Sequence, residues 1–159
     1  MKRNIVFIGA VWIVIFFLVI SCESGVVTEK IKPVPDSGWK ISDTLSFEAL
    51  IADSSKRYNF ILIIRHTTDY AYRNLFFFTE TLLPDSTMAN DTIEIILADK
   101  KGQWYGKGSG YIKTLETTLI PKAQFIQEGK YQFRFNQGMR EDTLKHIKNI
   151  GIRIESIEK

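Results

Sequence analysis

Beyond residue 22 the apolar and polar residues alternate with a period of two over most of the chain, and that pattern predicts strands. Leu45, Phe47 and Ala49 alternate with Ser46 and Glu48 as in a half-buried strand, which Asp53-Ser54-Ser55-Lys56 breaks. Tyr58 to His66 is a continuous apolar run, too short and too rich in aromatic and β-branched side chains to prefer a helix. It predicts a central strand covered on both faces. Leu75 to Leu83 predicts a second central strand, with three successive phenylalanines giving core on one face and a buried or contacting surface on the other. Asp91 to Asp99 alternates again, and Lys100-Lys101-Gly102 predicts a hairpin tip returning through Trp104.

Trp104 to Tyr111 puts two aromatics before three alternate glycines and one aromatic after them. Read as an extended strand, Gly106, Gly108 and Gly110 leave one face without side chains, open to another backbone or a flat ligand. Ile112 to Ile120 continues extended until Pro121. After the turn glycine Gly129, Tyr131, Phe133 and Phe135 face inward by strict alternation, and Ile150, Ile152 and Ile154 do so in a final strand. Thr143 to Lys148 predicts one helical turn capped by Asp142 or Thr143. Trp39, after the Asp36-Ser37-Gly38 turn, is expected to plug one end of the fold with its N–H satisfied. Many short strands without helical segments between them predict an all-β fold, an antiparallel β-sandwich of jelly-roll type, over residues 39–159.

The N-terminus has a different texture. Lys2 and Arg3 precede an unbroken apolar run from Ile5 to Ile20, followed by Ser21 and Cys22, the layout of a secretory signal peptide over residues 1–21. Val19-Ile20-Ser21-Cys22 resembles a bacterial lipobox, which implies cleavage before an N-acylated, S-lipidated Cys22. The apolar run is shorter than the roughly 20 residues of a spanning helix, which favours the lipoprotein reading over an uncleaved anchor. Residues 22–38, with Ser24, Gly25, Pro33 and Pro35, suit a lipidated tether in which Val26 to Lys32 can form an edge strand.

Composition changes this picture in two places. Lys2 and Arg3 are two of the 21 basic residues, so the mature part holds 19 against 18 acidic ones, and an electrostatic case for nucleic acid fails. Cys22 is the single cysteine, so the mature protein forms no internal disulfide.

Candidate chemistry is sparse. Gly102-Gln103-Trp104-Tyr105-Gly106-Lys107-Gly108 departs from a phosphate loop in spacing and has glycine where Ser or Thr must reach the metal. His66 and His146 lack cysteine partners, so neither a metal site nor a cofactor is expected. No acidic pair stands out for glycoside hydrolysis. Asp43-Thr44-Leu45, Asp85-Ser86-Thr87, Asp91-Thr92-Ile93 and Asp142-Thr143-Leu144 look like the short periplasmic O-glycosylation sequon. Thr44, Ser86, Thr92 and Thr143 are therefore candidate acceptors, against the plainer reading that Asp-Ser and Asp-Thr start turns.

The lipobox, Trp39, the Trp104-to-Gly110 stretch, Gly129-Lys130-Tyr131-Gln132-Phe133 and the ending from Met139-Arg140 to Asn149-Ile150-Gly151-Ile152-Arg153-Ile154-Glu155 together resemble the gliding-motility lipoproteins of the GldH family. The resemblance implies a cell-envelope lipoprotein, outer-membrane associated on its periplasmic or surface face, that works with other envelope lipoproteins and outer-membrane proteins. It implies no catalytic residues. The surface expected to make such contacts is Trp104, Tyr105, Gly106, Gly108 and Tyr111, through sheet packing or β-augmentation. The alternative is a lipid-anchored carbohydrate-binding module presenting Tyr70, Tyr72, Trp104 and Tyr105 to a glycan.

Overall fold

A computed structural model describes residues 25–157; the signal peptide expected over residues 1–21 and Cys22 lie outside the described residues. Ten strands follow in chain order: β1 Val26–Pro33, β2 Trp39–Lys40, β3 Leu45–Ile51, β4 Arg57–Thr67, β5 Asn74–Leu82, β6 Met88–Ile96, β7 Ile112–Ala123, β8 Gly129–Gln137, β9 Thr143–Leu144 and β10 Ile147–Ile157. They form two four-stranded sheets, β1-β10-β4-β7 and β3-β8-β5-β6, with β2 and β9 pairing separately. Every pairing is antiparallel. Among the eight long strands the first pairs with the last, the second with the seventh, the third with the sixth and the fourth with the fifth. That nesting is a jelly roll, as the strand-and-turn pattern predicts.

Alternation decides which side chains meet between the sheets. Phe60, Leu62 and Ile64 from β4 and Ile150, Ile152 and Ile154 from β10 face Phe47 and Ile51 from β3, Phe77 from β5, and Tyr131, Phe133 and Phe135 from β8, all buried. Phe60 and Phe133 close the gap edge to face at 4.8 Å between centroids. Tyr58 to His66 is a central strand, as expected, and its outer face is covered by a neighbour's side chain. Arg153 on β10 reaches over Ile61 and Ile63 to Glu116 on β7 (2.6 Å) while also pairing with Glu29 on β1 (3.4 Å). Its side chain, 20% exposed, crosses both buried isoleucines while the guanidinium is held among carboxylates.

Residues 26–33 pair along β10 as the edge strand expected of Val26 to Lys32, so the sandwich begins before residue 39. Three stretches differ from the sequence expectation. Thr143 to Lys148 forms no helical turn: Thr143 and Leu144 pair with Lys40 and Trp39, and His146 adopts a left-handed φ of 71° before β10 begins. A single turn has too few hydrogen bonds to compete with burial of Leu144 against the core. Pro121 does not end β7, because β7 is an edge strand whose outward N–H groups pair with nothing in the sheet. Trp104 to Tyr111 is a loop, touching its neighbours through two isolated bridges, Ala98 to Trp104 and Lys107 to Thr114.

Candidate functional site

Gly106 and Gly108 of that loop make room for the chain itself. A Cβ on Gly106 would lie 3.0 Å from the Thr114 backbone, and one on Gly108, at φ 140°, would lie 2.5 Å from the Ile112 carbonyl oxygen. Lys107 and Thr114 exchange both backbone hydrogen bonds at 2.8 Å, which ties the loop to β7. Of the two approaches anticipated for a side-chain-free face, the close neighbour is backbone.

The aromatics divide into two groups. Trp104 is half-buried, with its ring 4.6 Å from His66 and 6.5 Å from Tyr70. Tyr70 is buried and donates to the Asn74 carbonyl (3.0 Å), and burial pushes its phenol far above the ordinary value. Tyr72 donates to the Glu141 carboxylate, which raises its pKa. These three rings pack one end of the sandwich and form no open platform. Tyr105 and Tyr111, 56% and 51% exposed, stand out from the same end and are free for contact.

The two histidines, distant in sequence, both reach Thr67. His66 Nδ1 lies 2.9 Å from the Thr67 carbonyl oxygen and His146 Nδ1 lies 3.0 Å from the Thr67 hydroxyl. A carbonyl only accepts, so His66 is the Nδ1–H tautomer, and its buried Nε2 has no hydrogen-bond partner. Protonating Nε2 would strand an N–H among aromatic rings, and burial holds the His66 pKa below its ordinary 6.5. The unfolded chain then binds the extra proton first, so stability is intact above about 6.5 and falls as pH drops from there toward the folded value. His66→Phe is expected to flatten the pH dependence of urea midpoints as pH falls below about 6.5. An unchanged slope would tell against a neutral, buried His66. Carboxylates with lowered pKa, such as Asp53 and Asp85, lose their contribution only at lower pH. Among the described residues no group of three His, Cys, Asp or Glu side chains is placed to hold a metal ion.

A cleft of about 560 Å³ opens between the sheets where β6 and β7 part. Phe60, Phe133 and Phe135 form its floor, with Ile93 and Leu119 on its walls and Thr79, Asn90 and Asp91 at the polar rim. Sequence reasoning missed it, although a signal was present. Along β5 the inward positions run Leu75, Phe77, Thr79, Thr81, and the β6 residues facing Thr79 and Thr81 are Asp91 and Ala89. The core-facing row shrinks and turns polar partway along, and the unfilled volume becomes the cleft.

The four sheet edges are unequal. β7 carries Pro121 and two register irregularities, and β1 has one between Val26 and Thr28. β3 lies beside β1 across the sandwich. β6 pairs with β5 in unbroken register over nine residues, with no proline in the strand. β3 is as regular but lies beside β1, so β6 is the regular edge that borders the cleft.

The four candidate acceptor residues scatter. Thr44 is exposed and bonded to Asn136, Ser86 is exposed at a turn with φ 69°, and Thr92 is exposed on β6. Thr143 is half-buried in its pairing with Lys40.

The family model described as GldH lipoprotein matches residues 26–154, from the first residue of β1 into β10. The chain belongs to the GldH lipoprotein family. One GldH relative, the gliding motility lipoprotein GldH homolog of Christiangramia forsetii, is 30% identical over 155 residues, covering 92% of this chain and 94% of its own. Another, the gliding motility lipoprotein GldH of Flavobacterium johnsoniae, is 30% identical over 145 residues, covering 87% and 89%. Among solved structures, a family GH115 4-O-methyl-α-glucuronidase superposes with a TM-score of 0.42 at 10% identity, over 84% of this GldH chain and 18% of the enzyme.

Proposed function

We propose that this GldH-family protein is a motility-associated lipoprotein of the outer membrane, held through lipidated Cys22, that acts by binding other envelope proteins and catalyses nothing. The observation that carries the reading is the regular β6 edge beside an apolar cleft. A partner strand added along Met88 to Ile96 would satisfy the outward backbone groups of β6. Alternate side chains of that strand would point toward the cleft, giving specificity through shape while the backbone supplies affinity. Other envelope lipoproteins and outer-membrane proteins are the partner class. Tyr105 and Tyr111, at the end remote from β1's start, offer a second contact.

A photocrosslinking residue at Thr92, which is exposed on β6, tests this in living cells. The expected result is one dominant adduct with an envelope protein, lost when Ile93 in the cleft wall is replaced by Asp and absent from a probe at Lys101. Adducts confined to probes at Tyr105 and Tyr111 would move the contact to the loop. None from any site would remove the docking reading.

A further inference from the structure

The chain enters the sandwich at Gly25, where it is fixed: Ser156 N donates to the Gly25 carbonyl at 2.6 Å and Ser156 Oγ does so at 3.2 Å. Cys22 lies three residues earlier in the sequence. Three extended residues span at most about 11 Å, so lipid chains on Cys22 would hold Gly25 within that distance of the bilayer surface. The strand registers identify what shares this end. Val26 pairs with Glu155, Ser156 with Tyr58, Tyr58 with Ala123, and Ile51 with Gly129. Leu82 pairs with Gln132 at the same end, so the β3–β4, β5–β6 and β7–β8 connections all lie at the end where the chain enters. β7 is three strands from β1, so at about 4.8 Å per strand the β7–β8 connection lies roughly 14 Å across this end from Gly25.

These connections present apolar side chains where a water-facing turn needs none. Ile126, in the β7–β8 connection, is 83% exposed, and Leu50, near the end of β3, is 66% exposed. Val26 and Val27 at the start of β1 are also exposed. The Ile126 loop is held in place: Phe125 packs edge to face on Tyr131 at 4.8 Å and on Tyr58 at 5.3 Å, and the Tyr131 hydroxyl donates to the Gln127 carbonyl at 2.9 Å. Lys56, Arg57 and Lys122 are exposed around it and form no ion pair among the described residues. Asp53, Asp85 and Glu128 share this end, so it carries charges of both signs, and the exposed apolar tip on a fixed loop is what suits the acyl and headgroup boundary.

We propose that this end of the sandwich lies against the bilayer, with Ile126 inserted at the acyl boundary and Leu50 beside it, so that the module stands upright on its own anchor. The proposal rests on lipidation at Cys22 and commits to lipid as the occupant. Its consequence is a direction. The opposite end, with Tyr105 and Tyr111, is held roughly 35 Å from the membrane, the length of an eleven-residue strand such as β4. The β6 edge then runs up the side of the module, within reach of a partner in the same membrane.

With Cys22 carrying the lipid, each new cysteine is a unique labelling site. Ile126→Cys, Leu50→Cys and Tyr105→Cys replace exposed residues. Each protein would be purified with its lipid, spin-labelled and reconstituted in phosphatidylethanolamine vesicles containing phosphatidylglycerol. At 126, collisions with oxygen are expected to exceed those with a water-soluble nickel chelate, with the ratio reversed at 105 and intermediate at 50. A protein that floats with the vesicles but gives the same aqueous ratio at 126 and 105 overturns the upright arrangement while leaving the anchor intact. A protein that does not float overturns the anchor, and the arrangement with it. Loss of immersion at 50 in an Ile126→Asp background would support Ile126 as the inserted contact. Unchanged immersion there would overturn that role.

Discussion

Trp39→Ala is expected to destabilise the sandwich by about 3–5 kcal/mol and to lower its midpoint temperature by roughly 10 °C or more. The indole is 1% exposed and lies 5.9 Å from the Phe77 ring. It also pairs across the β2–β9 ribbon with Leu144, and its Nε1–H donates to the Asp43 carbonyl at 2.7 Å. Truncation would leave a cavity lined by rigid strands that cannot collapse inward, so the lost contacts add to the lost transfer energy. The two-residue ribbon would also lose the side chain that fastens it to the core. Trp39→Phe separates the terms. It should retain most of the packing and give up the hydrogen bond, a loss of the order of 1 kcal/mol. Urea unfolding of the signal-free protein is the measurement, and a loss under about 1 kcal/mol for the alanine variant would mean that this end is not closed by Trp39.

The plug was legible because a bulky aromatic directly after a turn has few roles open to it in a strand-built chain. The rows Phe47 with Ala49, Tyr131 with Phe133 and Phe135, and Ile150 with Ile152 and Ile154 were legible for a related reason. Period two assigns a face without reference to the rest of the chain. What escaped depends on partners remote in sequence. Thr143 and Leu144 look like a helix start until Trp39 and Lys40 appear opposite them. Gly106 and Gly108 look like a bare strand face until β7 takes up the space. The two histidines become neighbours only because the end of β4 and the start of β10 meet at Thr67. The cleft is harder still, since it is a volume left unfilled, and volumes between sheets are not encoded in either strand alone.

One asymmetry links fold to proposed function. The sandwich is closed where β1 lies beside β3 and open where β6 and β7 part around the cleft. Closing both sides would bury more apolar area, yet the inward positions on the open side are Thr79, Thr81, Ala89 and Asp91, side chains too small or too polar to fill it. The free edge and the cleft lie side by side, so one extended partner segment can cover both. Arg153 shows a contrasting solution on the outer face of the other sheet, where its own side chain crosses β4 to Glu116 above the buried Ile61 and Ile63.

Cys22→Ser is expected to have the largest effect in the cell. It removes the sulfur that the proposed diacylglycerol needs, so incorporation of labelled palmitate should fall from clear to undetectable, and the protein should leave the detergent phase on phase separation. Each buried CH2 contributes about 0.8 kcal/mol, and one chain anchors only marginally while two or three hold firmly, so losing the modification is close to all-or-none. The sandwich itself should be untouched, because its first fixed point is Gly25 on Ser156 and its core begins at Val34. Circular dichroism and urea midpoints should match those of the signal-free protein. In a gliding host the variant should spread no better than a strain lacking the gene, since a folded module without its anchor cannot present the β6 edge at the membrane. Spreading at the normal rate by a variant shown to be unlipidated would separate function from the membrane and would sink the anchored docking role. Failure to spread with the fold intact would place the requirement on the anchor, because every contact within the sandwich would still be present.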